Sequence, residues 1–155
     1  MTEIEQKLRE LNFSPASTSA LKERTLLEAL PFAPPPDYRE FLMRFGGGDF
    51  DVLMDVRCDE PPPLAEDGLC SFGWFFGVGA GGASLLSALR MTEEEFGPNM
   101  FAFASVGGGD MYCLRRTESG VDAVFWDHDT AEVYTVAGSF TEFVKRLQPA
   151  EEPVT

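Results

Sequence analysis

Phe101-Ala102-Phe103-Ala104-Ser105-Val106-Gly107-Gly108-Gly109-Asp110-Met111-Tyr112-Cys113-Leu114 decides the fold. The first six residues read as a buried strand, the glycines with Asp110 as a turn, and Met111–Leu114 as a returning strand. Glu118-Ser119-Gly120 ends that strand. Val121–Trp126 reads as a third strand, Asp127-His128-Asp129-Thr130 as a turn, and Glu132–Val136 as a fourth strand. Four short strands joined by tight turns pair antiparallel, and one amphipathic helix can cover a face of such a sheet.

That helix follows at once. Ser139 and Glu142 form a capping box, and Phe140, Phe143, Val144 and Leu147 repeat at i, i+3, i+4 and i+7. The spacing predicts a helix over Phe140–Leu147. Upstream, Tyr38, Phe41, Leu42 and Phe45 repeat the stripe, with Pro36 or Asp37 at the start and Gly46-Gly47-Gly48 at the stop. These two helices are the candidates to pack on the sheet. Two more are expected nearer the start, over residues 3–11 and from Ser19 to Leu30, the second facing Leu26, Leu27 and Leu30 inward.

Between these anchors the period changes to two. Phe50, Val52, Met54 and Val56 alternate with Asp49, Asp51 and Asp55, which predicts a strand with an acidic outer face. Asp59 to Gly68 is an acidic, proline-rich exposed loop carrying Glu60, Glu66 and Asp67. Ser71–Val78 reads as one buried strand. A short helix is expected at Ser84–Leu89, and one more turn from Thr92. The whole is read as α+β: a mixed, mostly antiparallel sheet with helices around it. Residues 1–148 are expected to form one domain and 149–155 an acidic, frayed tail.

The chain carries 26 Asp and Glu against 12 Lys and Arg, a formal charge of −14. Such a surface repels nucleic acid and anionic membrane and attracts basic partners. No apolar run approaches the ~20 residues of a membrane span, and Met1–Glu5 shows no signal-peptide pattern. A cytoplasmic location is expected, with Cys58, Cys70 and Cys113 as reduced thiols.

Three motifs bear on chemistry. Gly77-Val78-Gly79-Ala80-Gly81-Gly82 matches the G-x-G-x-x-G of dinucleotide sites. However, the helix after it is short, no acidic residue ends a strand roughly 20 residues on, and hairpins follow. Gly107–Asp110 lacks the lysine and following helix of a phosphate loop. Asp127-His128-Asp129 sets two carboxylates beside the single histidine, a conceivable metal or acid/base site. Neighbours in a tight turn point apart, and neither a second histidine nor a nucleophile motif accompanies them. No catalytic residue, metal or cofactor is expected, and Trp126 reads as core.

Three blocks in this order resemble the SUKH superfamily, specifically the Smi/Knr cell-wall-assembly-regulator type of domain. The first runs from Leu30-Pro31 through Pro36-Asp37-Tyr38-Arg39-Glu40-Phe41-Leu42 to Phe45-Gly46-Gly47-Gly48. The second comprises Phe103-Ala104, Gly107-Gly108-Gly109-Asp110 and Tyr112-Cys113-Leu114. The third comprises Val124-Phe125-Trp126-Asp127-His128-Asp129 and Ser139-Phe140-Thr141-Glu142-Phe143. The spacer Phe32–Pro35 is longer than the family's usual join. The resemblance implies an α+β fold and binding rather than catalysis. Many bacterial members look like immunity proteins that neutralise a cognate toxin, often a nuclease; eukaryotic members act as scaffolds.

The expected function is therefore an immunity-type domain whose carboxylates capture a basic toxin domain. The candidate contacts are Asp55, Asp59, Glu60, Glu66, Asp67, Asp110, Asp127 and Asp129. Pro36, Tyr38, Phe41, Leu42, Gly46, Gly47, Gly108, Asp110, Trp126, Ser139, Phe140 and Phe143 carry the family motifs structurally. A scaffolding module, or a small ligand-binding domain using Gly77–Gly82, are the other readings.

Overall fold

The computed structural model describes residues 2–16, 20–63, 65, 67–79 and 81–150, with the side chains of 20–22 set aside. In chain order the elements are α1 (Glu3–Glu10), β1 (Ser14–Pro15), α2 (Ala20–Ala29), α3 (Pro36–Phe45), β2 (Gly48–Asp49), β3 (Met54–Arg57), β4 (Leu69–Phe72) and β5 (Trp74–Phe75). There follow α4 (Leu85–Phe96), β6 (Met100–Gly107), β7 (Asp110–Thr117), β8 (Gly120–Trp126), β9 (Val133–Ala137), α5 (Phe140–Lys145) and β10 (Leu147–Pro149). Seven strands form one sheet, in the order β1-β2-β5-β6-β7-β8-β9, and three form another, in the order β10-β3-β4. The ladders between these strands are antiparallel. An isolated bridge, Gly77 to Ser84, is parallel. The fold is α+β.

β6 to β9 form the expected meander. Tyr112 lies opposite Phe125, Trp126 opposite Val133, and Arg115 opposite Asp122, whose carboxylate it holds at 2.7 Å. Strand alternation sends Tyr112 and Phe125 to one face and Trp126 to the other. On the first face the stripes of α3 and α5 meet the sheet. Phe143 lies 4.9 Å from Phe103 and 5.0 Å from Tyr112, and Phe41 lies 4.7 Å from Phe75, between ring centroids. Tyr38 meets Phe140 edge-on at 5.1 Å. On the opposite face Phe96 of α4 meets Trp126 edge-on at 5.0 Å. These rings and their aliphatic neighbours make one continuous core.

Helix ends follow the caps. The Thr2 hydroxyl accepts from the Glu5 amide and starts α1; the Ser139 hydroxyl accepts from the Glu142 amide and starts α5. Gly46 ends α3 in the left-handed conformation, φ 67°. There the backbone has no room for side chains. A Cβ on Gly47 would lie 2.8 Å from the Phe76 carbonyl oxygen, and one on Gly77 would lie 1.8 Å from that of Gly46.

Several expectations are corrected. The acidic-alternating strand is two short strands in different sheets. β2 pairs with β1 and β5, β3 pairs with β10 and β4, and residues 50–53 cross between them. Val52, expected inward, is 57% exposed, and Leu53 is 83% exposed. The strand expected over Ser71–Val78 is likewise split at Gly73, β4 lying in one sheet and β5 in the other. The short helix at Ser84–Leu89 runs on through the Thr92 turn to Phe96, because no glycine or proline interrupts it before Gly97. The last helix stops at Lys145. Leu147 starts β10, which pairs with β3, and the Ala150 amide donates to the Leu53 carbonyl at 2.8 Å. Pairing therefore reaches past the expected start of the tail. Residues 151–155, Glu66 and the helix start expected at Ser19 lie outside the described residues.

Candidate partner-binding surface

The meander sets two turns side by side. Gly107, Gly108 and Gly109 all have positive φ, and this lets the β6–β7 turn close tightly on Asp110. The His128 ring lies over Gly109, where a Cβ would come within 3.1 Å of it. Asp110 Oδ1 accepts from the His128 amide at 3.0 Å and faces its Nδ1 at 2.6 Å. Asp127 Oδ1 accepts from the amides of Asp129 and Thr130, so it shapes its own turn. Asp129 Oδ1 lies 3.4 Å from His128 Nε2, and its side chain is 81% exposed.

One imidazole thus sits between two carboxylates, with a third behind it. The hydrogen bond to Asp110, opposed by desolvation and helped by the charges of Asp129, Asp110 and Asp127, raises its pKa above the ordinary value. The protonated form is the one these carboxylates favour. Asp110, Asp127 and His128 each offer a ligand atom within 4.8 Å of the others. Asp110 Oδ1 and Asp127 Oδ1 each already receive amide donors within the protein.

β9 joins this cluster to a second one. Its first residue, Val133, faces Trp126, next to Asp127. Two and three residues further, roughly 7–10 Å along the strand, Thr135 and Val136 accept the amides of Glu60 and Asp59 at 2.8 and 3.0 Å. The Asp59 carboxylate binds Arg146 Nη1 at 2.6 Å, and the same nitrogen donates to the Val136 carbonyl. Glu132, just before β9, accepts from the Tyr134 hydroxyl at 2.6 Å, and this contact and burial push the phenol up to about 12. β9 is therefore bordered by carboxylates from both ends.

The family model of SMI1 / KNR4 (SUKH-1) matches residues 24–146. The chain belongs to this family. It is also 26% identical to the SPbeta prophage-derived uncharacterized protein YokK of Bacillus subtilis (strain 168), over 99% of this chain and 88% of that protein. The SUKH family is generally non-catalytic, and membership places the chain among immunity-protein-like domains, with a protein as the expected kind of partner.

The SUKH motif blocks serve the fold and the turns. Pro36 opens α3, and Tyr38, Phe41, Leu42, Phe140 and Phe143 are buried. Gly108 shapes the turn before Asp110, and Trp126 is buried under α4. Of the candidate contacts, Asp110, Asp127 and Asp129 meet around His128, and Asp59 and Glu60 meet along β9. Asp55 lies in β3, half-buried, opposite Ser71 and Gln148. Asp67 is exposed, with a φ of 54°, and its carbonyl accepts from Arg57. Sequence reading missed Glu132 and Tyr134; the alternation of charge and ring at positions i and i+2 was their one signal. It also missed the exposure of Val52 and Leu53.

The Gly77–Gly82 loop is used by the fold. The Gly77 amide donates to the Ala83 carbonyl, the Val78 amide to the Gly46 carbonyl, and the Gly82 carbonyl accepts from Trp74 Nε1 at 2.7 Å. The Gly77 and Val78 amides are thus engaged within the fold. No helix among the described residues is long and apolar enough to cross a membrane.

Proposed function

We propose that this chain is a non-catalytic binding domain, an immunity protein that neutralises a cognate toxin with a basic, nuclease-type surface. The carboxylate border of β9 carries the reading: Asp110, Asp127 and Asp129 at one end, Asp59 and Glu60 at the other. Set in a chain of formal charge −14, this border attracts a cationic protein and steers its approach. A nuclease fits because its own site is built to attract phosphate. Asp129 and Glu60 make first contact, being exposed. Asp110, Asp127 and Asp59 hold the turns and the β9 edge in shape. Asp55 and Asp67 contribute to the field at longer range, and Glu66 adds to the net negative charge.

A bacterial relative supports this reading over the scaffolding one known from eukaryotic members. The test is co-expression with the product of the neighbouring gene, followed by purified inhibition. Neutralisation of that protein's activity by a stoichiometric complex is the expected result. A complex that forms without inhibition would favour the scaffold. Absence of any complex with a basic neighbour would overturn the proposal.

A further inference from the structure

Cys58 and Cys70 flank one loop, 12 residues apart in sequence, and the fold brings their sulfurs to 3.0 Å. Cys70 lies in β4 opposite Val56, and the Cys58 amide donates to the Gly68 carbonyl at 2.9 Å, so the β3–β4 ladder extends to both cysteines. Both are free thiols, each 6% exposed, whereas Cys113 is fully buried in β7. We propose that Cys58 and Cys70 are a reversible disulfide site, oxidised by hydrogen peroxide, that closes residues 59–69 into a covalent ring. This goes beyond the partner reading and does not depend on it.

The geometry favours the bond. Forming it requires the sulfurs to approach by about 1 Å, within what a cross-strand pair can give by side-chain rotation. The surroundings favour one order of events. The neighbouring Cys70 thiol holds Cys58 below the ordinary thiol value, burial opposing, the Arg146 guanidinium assisting and the Asp59 carboxylate opposing. The same contact and burial push Cys70 up, and Asp55 and Asp110 add to it. Arg146 is fixed there by Asp59 and the Val136 carbonyl. The thiolate is the reactive form, so Cys58 attacks first.

The Cys58 thiolate attacks one peroxide oxygen. An S–O bond forms, the O–O bond breaks, and hydroxide leaves and is protonated to water. The Cys70 sulfur then attacks the Cys58 sulfenic acid. The S–S bond forms, the S–O bond breaks, and a second water leaves with the Cys70 proton. Two thiols lose two electrons and one peroxide becomes two waters. A dithiol reverses the bond by exchange.

The test uses the full chain. Reduced protein is treated with hydrogen peroxide, denatured, alkylated with N-ethylmaleimide and mapped by peptide mass. The expected result is alkylation at Cys113 alone and a linked peptide pair containing Cys58 and Cys70, restored to free thiols by dithiothreitol. Oxidised protein should melt roughly 5–10 °C higher than reduced protein, as a crosslink across a short loop in a chain of this length predicts. Cys113→Ser, whatever its own melting temperature, should form the same link and show the same rise on oxidation. Cys58→Ser should give no link and no rise. Alkylation of all three cysteines after peroxide, a link through Cys113, or links only between chains would each overturn the proposal. So would a Cys58–Cys70 link that leaves the melting temperature unchanged, because the ring would then constrain nothing.

Discussion

Asp37 Oδ2 accepts two hydrogen bonds from Thr141, from its amide at 2.9 Å and its hydroxyl at 2.8 Å. Asp37 lies in the first turn of α3 and Thr141 in the first turn of α5, so one carboxylate ties the starts of the two helices that cover the sheet. Its other oxygen accepts from the Tyr38 amide at 2.8 Å. A carboxylate at a helix N-terminus also meets the positive end of the helix dipole. Asp37→Ala should cost about 1–3 kcal/mol, read by urea denaturation, and Asp37→Asn less. An unchanged midpoint in Asp37→Ala would show that the two helices dock without this link.

Phe143 is the ring on which the layers converge. It contacts Phe72, Phe75, Phe103 and Tyr112 and is fully buried. Phe143→Ala should destabilise by about 3–5 kcal/mol. Leu53→Ser, at a side chain 83% exposed, should stay within about 0.5 kcal/mol of wild type. Chemical melts of the pair check the assignment of core and surface together, and equal losses would contradict it.

The glycines of the β6–β7 turn are not equivalent. Gly109 has a φ of 110° and the His128 ring above it, whereas Gly108 has a φ of 73° and open space. Gly109→Ala should cost about 1–3 kcal/mol and displace His128. Gly108→Ala should cost about 1 kcal/mol and leave the ring in place. Imidazole chemical shifts of the two variants distinguish the outcomes.

His128 makes a pH prediction with a defined sign. Its folded pKa lies above the unfolded value because Asp110, then Asp129 and Asp127, favour the charged ring. The contribution to stability is complete below the unfolded value of about 6.5 and fades as pH rises through the higher folded value. An NMR titration of the imidazole should show a midpoint above 6.5, and Asp110→Asn should bring it back toward that value. A midpoint at or below 6.5 in the wild type would contradict the geometry of the two turns.

The meander and the two aromatic-striped helices were legible because each carries its own period and its own punctuation. Glycine triplets at 46–48 and 107–109 stop one element and turn the next, and capping residues mark helix starts. What sequence could not show was which sheet a strand joins. Phe50 to Val56 alternates well enough for one strand, but the chain leaves one sheet and enters the other within it, and alternation is blind to that change. The segment around Gly73 hides the same crossing, since buried strands in both sheets are equally apolar. Leu147 satisfied the helical stripe and is buried, but from a strand. At the candidate surface, Asp127-His128-Asp129 was visible as a motif. Its tie to Asp110, and the run of Asp59 and Glu60 beside β9, come from pairings between residues distant in the chain.

The most direct test of the account is the salt dependence of association with the proposed basic toxin domain, sought as the product of the neighbouring gene and measured by stopped-flow. If the β9 border steers that partner, the association rate constant should fall at least about tenfold between low and high ionic strength as the charges are screened. The double variant Asp129→Lys, Glu60→Lys should associate slowly and with a flatter salt response. A wild-type rate constant that is indifferent to salt, and a double variant that matches it, would contradict capture by charge.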